Sequence, residues 1–170
     1  MAHLVAPNKY HHVYLNPWIT QYPDAKLYGT RQLIRKRSDL TFDESLEEAA
    51  PEAWATCISQ TVFSGSRAYD EAIFFHLPSH TAVLTDLIVN ADLQEQTLLG
   101  GLLARFDGIV APKGSTPRLY RWSIKDRVKA RHGVETLLSW APEKCVISHG
   151  AWFKTDAATE LRMRFAWILQ

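Results

Sequence analysis

Hydrophobic positions along this chain change period repeatedly, and the changes mark out short strands and helices in mixed order. Residues 2–6 supply an apolar strand that empties into the polar loop Pro7, Asn8, Lys9 and Tyr10, then into the pair His11 and His12. From there Val13, Leu15, Trp18, Ile19 and Tyr22 recur at helical spacing; Pro17 lies close enough to the helix start to be tolerated, and Pro23 ends it. Residues 26–29 read as a strand followed by a glycine turn, with Thr30 capping a short helix that carries Leu33 and Ile34. Residues 38–52 are polar and acidic around Phe42 and Leu46, which predicts a connecting segment with a helical turn and solvated carboxylates.

Residues 54–63 and 71–77 are β-branched and aromatic enough to be strands, joined by a loop holding Ser64, Gly65 and Ser66. A hairpin turns through Pro78, Ser79 and His80 into an apolar run that reaches Asn90 and is broken at Asp86. Leu98, Leu99, Leu102, Leu103 and Phe106 predict an amphipathic helix. Gly100 and Gly101 inside it cost about 1 kcal/mol each relative to alanine, which points to close packing against something. Residues 113–117 read as a turn. Ser123 caps a helix running toward Trp140, and residues 144–148 form a short strand that ends directly at His149 and Gly150. A last helix starts at Thr155 or Asp156 and carries Leu161, Phe165, Ala166 and Leu169 on one face. With no internal repeat, this succession predicts an α/β layered fold.

Composition narrows the partners. At 170 residues, with 46% hydrophobic and 22% charged positions, the chain fits one ordinary globular domain. Its formal charge of +1 argues against nucleic acid, although Arg31, Arg35, Lys36 and Arg37 form one basic run and Lys125, Arg127, Lys129 and Arg131 another. Cys57 and Cys145 are isolated, with no CxxC pattern, and fit reduced, buried thiols in the cytoplasm. No stretch approaches the roughly 20 apolar residues that span a bilayer, and no signal-peptide core opens the chain, so a membrane partner is not expected.

The candidate chemistry lies at strand ends. Asp86 is a carboxylate set in an apolar run, and burying it is costly unless it pairs with an arginine, caps a segment or meets a cation. His149 ends the late strand, and His11 and His12 end the first loop. Sites of layered α/β proteins collect at such positions because distant segments converge there on a rigid base. His132 sits among charged neighbours and reads as surface; His76 and His80 flank the hairpin turn and read as core or surface. No GxSxG elbow accompanies the Ser–His pairs, which excludes a serine hydrolase of that type.

A strand, a loop ending in a histidine pair, a hairpin ending in residues 84–87 (Leu-Thr-Asp-Leu) and a late strand ending in residues 147–150 (Ile-Ser-His-Gly) together resemble the metallo-β-lactamase fold superfamily. More closely, residues 5–12 (Val-Ala-Pro-Asn-Lys-Tyr-His-His), 74–79 (Phe-Phe-His-Leu-Pro-Ser) and 85–86 (Thr-Asp) resemble the DUF4336 family, an uncharacterised branch of it. The resemblance implies a layered α/β/β/α sandwich formed by residues 1–170. Laid on the superfamily's HxHxDH motif by its last histidine, the chain has Pro7 and Lys9 at the first two histidines, His11 at the aspartate and His12 at the final histidine. The histidine of the loop before the hairpin also has no counterpart, since residues 64–69 contain none. The implied centre holds one metal rather than two. Its ligands are His12, Asp86 and His149, with His11 as a fourth ligand or water-orienting base and Lys9 as a group that binds the substrate anion.

Such a set suits Zn²⁺, or Fe or Mn with added water ligands. The implied activity is hydrolysis of a small-molecule ester, amide, thioester or phosphoester; the alternative is a metal-free binding or interaction module on the same fold. Only residues 1–6 precede the first motif, where superfamily members run through several strands. Much of the first sheet is therefore expected to be missing, with an edge or apolar face that a homo-oligomer could close.

Overall fold

Two sheets meet along a seam that runs beside the N-terminal loop. The computed structural model describes residues 1–170. The first sheet is parallel and joins β1 (His3–Ala6), β2 (Lys26–Gly29) and β3 (Glu44–Ser45) in that order, with α1 (Leu15–Gln21) and α2 (Arg31–Lys36) in the connections. Its strands alternate. Leu4, Ala6 and Leu27 turn outward onto Leu15 and Leu33 of the two helices, while Tyr28 turns inward with Leu46, Trp54 and Ala72.

The second sheet follows the order β4 (Ile58–Phe63), β5 (Glu71–His76), β6 (Thr81–Val83) and β8 (Lys144–Val146), with β7 (Val89–Asn90) and β9 (His149–Gly150) paired separately. β4, β5 and β6 form an antiparallel meander, and β8 adds parallel to β6 with Cys145 opposite Ala82. On β5, Ala72 faces the first sheet while Ile73 and Phe75 face the opposite way. There they enter the largest core cluster, 19 buried residues shared with α5 (Arg127–Ser139), α6 (Ala157–Arg164) and α7 (Ala166–Leu169). Gly133 lets α5 lie directly on β4, since a Cβ there would come 2.9 Å from the Val62 carbonyl. The layers run helix, sheet, sheet, helix, so the expected sandwich is the fold.

Several boundaries differ from the sequence reading for identifiable reasons. The strand expected from residue 54 begins at Ile58, because residues 54–57 turn back on themselves through bonds from Cys57 and Ile58 to the Trp54 carbonyl. The acidic segment contributes β3 rather than a helical turn, and Asp43 is not free in solvent: it accepts the Leu27 N–H at 2.7 Å. The helix expected from Ser123 starts later, as α5 at Arg127, capped by Asp126, which accepts the Lys129 N–H; Ser123 instead ends a separate short helix, α4 (Arg118–Ser123). α3 (Leu98–Asp107) runs through both of its glycines without a break.

Candidate metal centre

The site is assembled by one buried asparagine and one buried glutamate. Asn8 follows β1 and is fully buried. Its carbonyl oxygen accepts the backbone N–H of Tyr10 at 2.8 Å and of His11 at 3.0 Å, a side-chain turn that sets where the histidine pair faces. Its amide group donates across the seam to Thr85 Oγ1 at 2.8 Å and Asp86 Oδ2 at 3.0 Å. Glu71, at the first position of β5, is also fully buried. Its carboxylate accepts the backbone N–H groups of Thr85, Asp86 and Leu87 at 2.7, 2.8 and 3.0 Å, and the Tyr69 hydroxyl donates to it as well. Burial pushes the Glu71 carboxyl up, and these donors pull it back. The loop after β6 is therefore wound around a carboxylate, and Asp86 projects from it with one oxygen held and the other free.

That free oxygen meets two imidazoles. His149 Nε2 lies 2.9 Å and His11 Nε2 3.7 Å from Asp86 Oδ1, and the two rings stack with centroids 6.1 Å apart. The three donor atoms lie within 4.8 Å of one another. Asp86 is buried, whereas the side chains of His11 and His149 are 32% and 54% exposed, so the cluster opens to solvent on its histidine side. His149 is placed by the β7–β9 pairing. Gly150 behind it has φ +90°, and a Cβ would stand 1.8 Å from the Asn90 carbonyl, so only glycine lets the strand close there.

The structure brings together His11, Asp86 and His149 from the residues singled out in the sequence, and leaves two others outside. His12 turns toward α2: its Nδ1 is 3.2 Å from the Arg37 guanidinium, which also donates to its carbonyl. Burial, then the charges of Lys36 and Arg37, hold the His12 imidazolium below its usual range. Lys9 has no polar contact to the three donors; its ammonium lies 5.3 Å from the centre of the Tyr10 ring, with Lys36 on the same ring at 5.7 Å. His76 bonds Ser79 and His80 approaches Glu143, both at the far end of the hairpin. His132 is exposed near Glu48.

Asn8 and Glu71 escaped the sequence reading. A signal existed for Glu71, an acid at the head of the apolar run Ala72 to Phe75, which raises the same burial cost as Asp86. Asn8, between a proline and a lysine, reads only as a turn residue.

No family model matches this chain, and no curated protein matches it. Solved structures do. A metallo-β-lactamase from Pontibacter korlensis is 14% identical with a TM-score of 0.58, the match covering 99% of this chain and 69% of that one. A metal-soaked flavodiiron core from Synechocystis is 10% identical with a TM-score of 0.62, covering 99% of this chain and 43% of that one. The rubredoxin oxygen:oxidoreductase of the anaerobe Desulfovibrio gigas is 12% identical with a TM-score of 0.54, covering 94% and 40%. The chain thus spans about seven-tenths of the first and about four-tenths of the other two. The fold is that of the metallo-β-lactamase superfamily, and at these identities the likeness concerns the fold alone. No helix is long and apolar enough to cross a membrane.

Proposed function

We propose that this chain is a single-metal hydrolase of the metallo-β-lactamase fold, with His11, Asp86 and His149 holding the metal. The observation that carries the reading is the convergence of two imidazoles and one carboxylate from three separate loops. In a tetrahedral zinc site with bonds of about 2.0–2.1 Å, neighbouring donor atoms stand about 3.3 Å apart. Separations of 2.9 and 3.7 Å about Asp86 Oδ1 bracket that spacing, and all three donor atoms lie within 4.8 Å of one another, so a cation would be held once the two part-exposed histidine rings close around it. Three protein ligands leave a coordination position open, the arrangement of a catalytic rather than a structural site. Two histidines and one carboxylate serve Zn²⁺ and also suit iron or manganese.

A zinc ion held by these three residues would supply a hydroxide nucleophile at neutral pH. The residues of the chain do the positioning. Asn8 holds Asp86 Oδ2, which keeps Oδ1 toward the histidines, and Glu71 fixes the backbone that carries Asp86. The exposed edges of His11 and His149 leave room for an ester, amide, thioester or phosphoester of a small molecule. The motif pattern of residues 5–12, 74–79 and 85–86 supports placing the chain in the DUF4336 branch, and its unpaired Cys57 and Cys145 suit the cytoplasm.

A second reading has its own observation. His149 Nε2 stands 2.9 Å from Asp86 Oδ1, close enough to pair with the carboxylate without a cation, as a metal-free binding module on this fold requires. Metal content of protein purified without added zinc separates the two. The hydrolase reading expects close to one Zn, Fe or Mn per chain, lost in His149→Ala and Asp86→Asn and retained in His12→Ala, followed by turnover of at least one member of a hydrolase substrate panel. Absence of stoichiometric metal, or metal that survives both substitutions, rejects it.

A further inference from the structure

α3 is built inside out. With 3.6 residues per turn, Leu98, Leu99, Leu102, Leu103 and Phe106 fall on one arc about 140° wide, and Gly100, Gly101 and Ala104 fall on the opposite side. An amphipathic helix ordinarily turns the first kind of face inward. Here Ala104 is the only buried residue of the helix, while Leu98 is 94% exposed and the other four members of the arc are at least 59% exposed. Trp122 of α4, 62% exposed, extends the same surface through an edge-to-face contact with Phe106. The glycine pair therefore turns toward the chain, with Leu93 of the preceding segment 3.5 Å from a Cβ built at Gly101, and the large side chains stand free.

We propose that this face joins two copies of the chain in a symmetric dimer. Scaled by their exposure, Phe106 and Trp122 contribute about 180–300 Å². The four exposed leucines carry the face beyond the few hundred Å² of contiguous apolar surface that monomers rarely exceed, enough to form the core of the roughly 800 Å² that each partner brings to a stable interface. The charges at the two ends of α3 are complementary to themselves. Asp92 and Glu95 precede its N-terminus, while Arg105 and Arg118 outnumber Asp107 at its C-terminus, so the two ends carry opposite net charge; Asp92, Asp107 and Arg118 each also hold a local backbone hydrogen bond. An antiparallel two-fold packing of α3 on its copy sets each acidic end against a basic end, the reciprocal contact that an isologous interface requires. A lipid surface fits less well, since membrane-lying helices flank their apolar face with lysines and arginines alone.

Sedimentation equilibrium of the full chain across the micromolar range tests the interface. The expected mass is twice that of the chain, falling to the monomer on dilution. Leu102→Glu, in the middle of the arc, is expected to weaken the dimer at least 100-fold, and Leu99→Ser, a milder change, at least 10-fold. Because both side chains are exposed, the circular dichroism spectrum stays at the wild-type form and the thermal midpoint falls no further than that of wild type diluted to monomer, which separates lost assembly from lost folding. Val128→Glu, equally exposed but on α5, leaves the dimer intact. A wild-type chain that is monomeric throughout overturns the proposal. So does a dimer that survives Leu102→Glu, or a monomer that co-sediments with phosphatidylcholine–phosphatidylserine vesicles through Leu102.

Discussion

The carboxylate of Glu71 accepts the backbone N–H of Asp86 at 2.8 Å, so one buried acid shapes the turn from which another is presented. Three successive amides and a phenol hydroxyl converge on Glu71, with the Asn8 amide beside them at 3.4 Å. Removing the acceptor leaves several buried donors unpaired, each costing about 1–3 kcal/mol. Glu71→Ala is expected to lose at least about 3 kcal/mol of stability. Glu71→Gln keeps one acceptor oxygen and is expected to lose less. Urea denaturation of the two variants gives the order; an alanine variant within about 1 kcal/mol of wild type would show that the turn holds itself.

Asn8 acts at longer range. Its amide binds Asp86 and its carbonyl fixes the amides of Tyr10 and His11, so it links two of the three proposed ligands through one side chain. Groups that orient ligands in this way typically contribute 10–100-fold to metal affinity. Asn8→Ala is expected to weaken zinc binding by about that factor while the far-ultraviolet spectrum is preserved. Competition titration against a chromophoric chelator measures it, and unchanged affinity would remove Asn8 from the site.

Much of the scaffold can be read from residue order alone. The alternation of Leu4, Ala6 and Leu27, the meander through residues 58–83 and the arrival of Asp86 and His149 at strand ends all follow from local period and turn chemistry. What local pattern does not contain is which member of an adjacent histidine pair faces the site. That is settled by contacts from far along the chain: Asn8 bonded to Thr85 and Asp86 on one side, and Arg37 reaching from the end of α2 to His12 on the other. The orientation of α3 was likewise illegible. An apolar arc says that a helix has a face to cover, and only the tertiary structure says that its small residues face inward here.

The division of labour between His11 and His12 gives a sharp pair of variants. His11 Nε2 approaches Asp86 while His12 Nδ1 approaches Arg37, which also bonds Asn16 and Asp39. His11→Ala removes a proposed ligand and is expected to lower zinc affinity at least 100-fold with little effect on the thermal midpoint. His12→Ala removes one exposed-side contact of Arg37 and is expected to keep the affinity within about threefold, at a stability cost below about 1 kcal/mol. Isothermal titration with zinc checks both, and the reverse ranking would return His12 to the centre.

Alkaline pH probes the core beneath the site. Cys145 is fully buried between β6 and the helices, and burial pushes its thiol well above the ordinary range; Tyr69, buried beside the Glu71 carboxylate, is likewise held protonated. Both are acids that the native chain keeps protonated after the unfolded chain has released the proton. Above about pH 8.5 for the thiol and about pH 10 for the phenol, the unfolded state binds fewer protons than the native state, so stability falls as pH rises. Each group contributes a slope of about 1.4 kcal/mol per pH unit, so by pH 10 the thiol alone accounts for about 2 kcal/mol. Cys145→Ala removes that contribution. Its loss of unfolding free energy between pH 7.5 and pH 10 is expected to be smaller than that of wild type by about 2 kcal/mol. Equal losses in wild type and Cys145→Ala would mean that the thiol ionises without opening the core, and that solvent reaches the packing between β8 and α6.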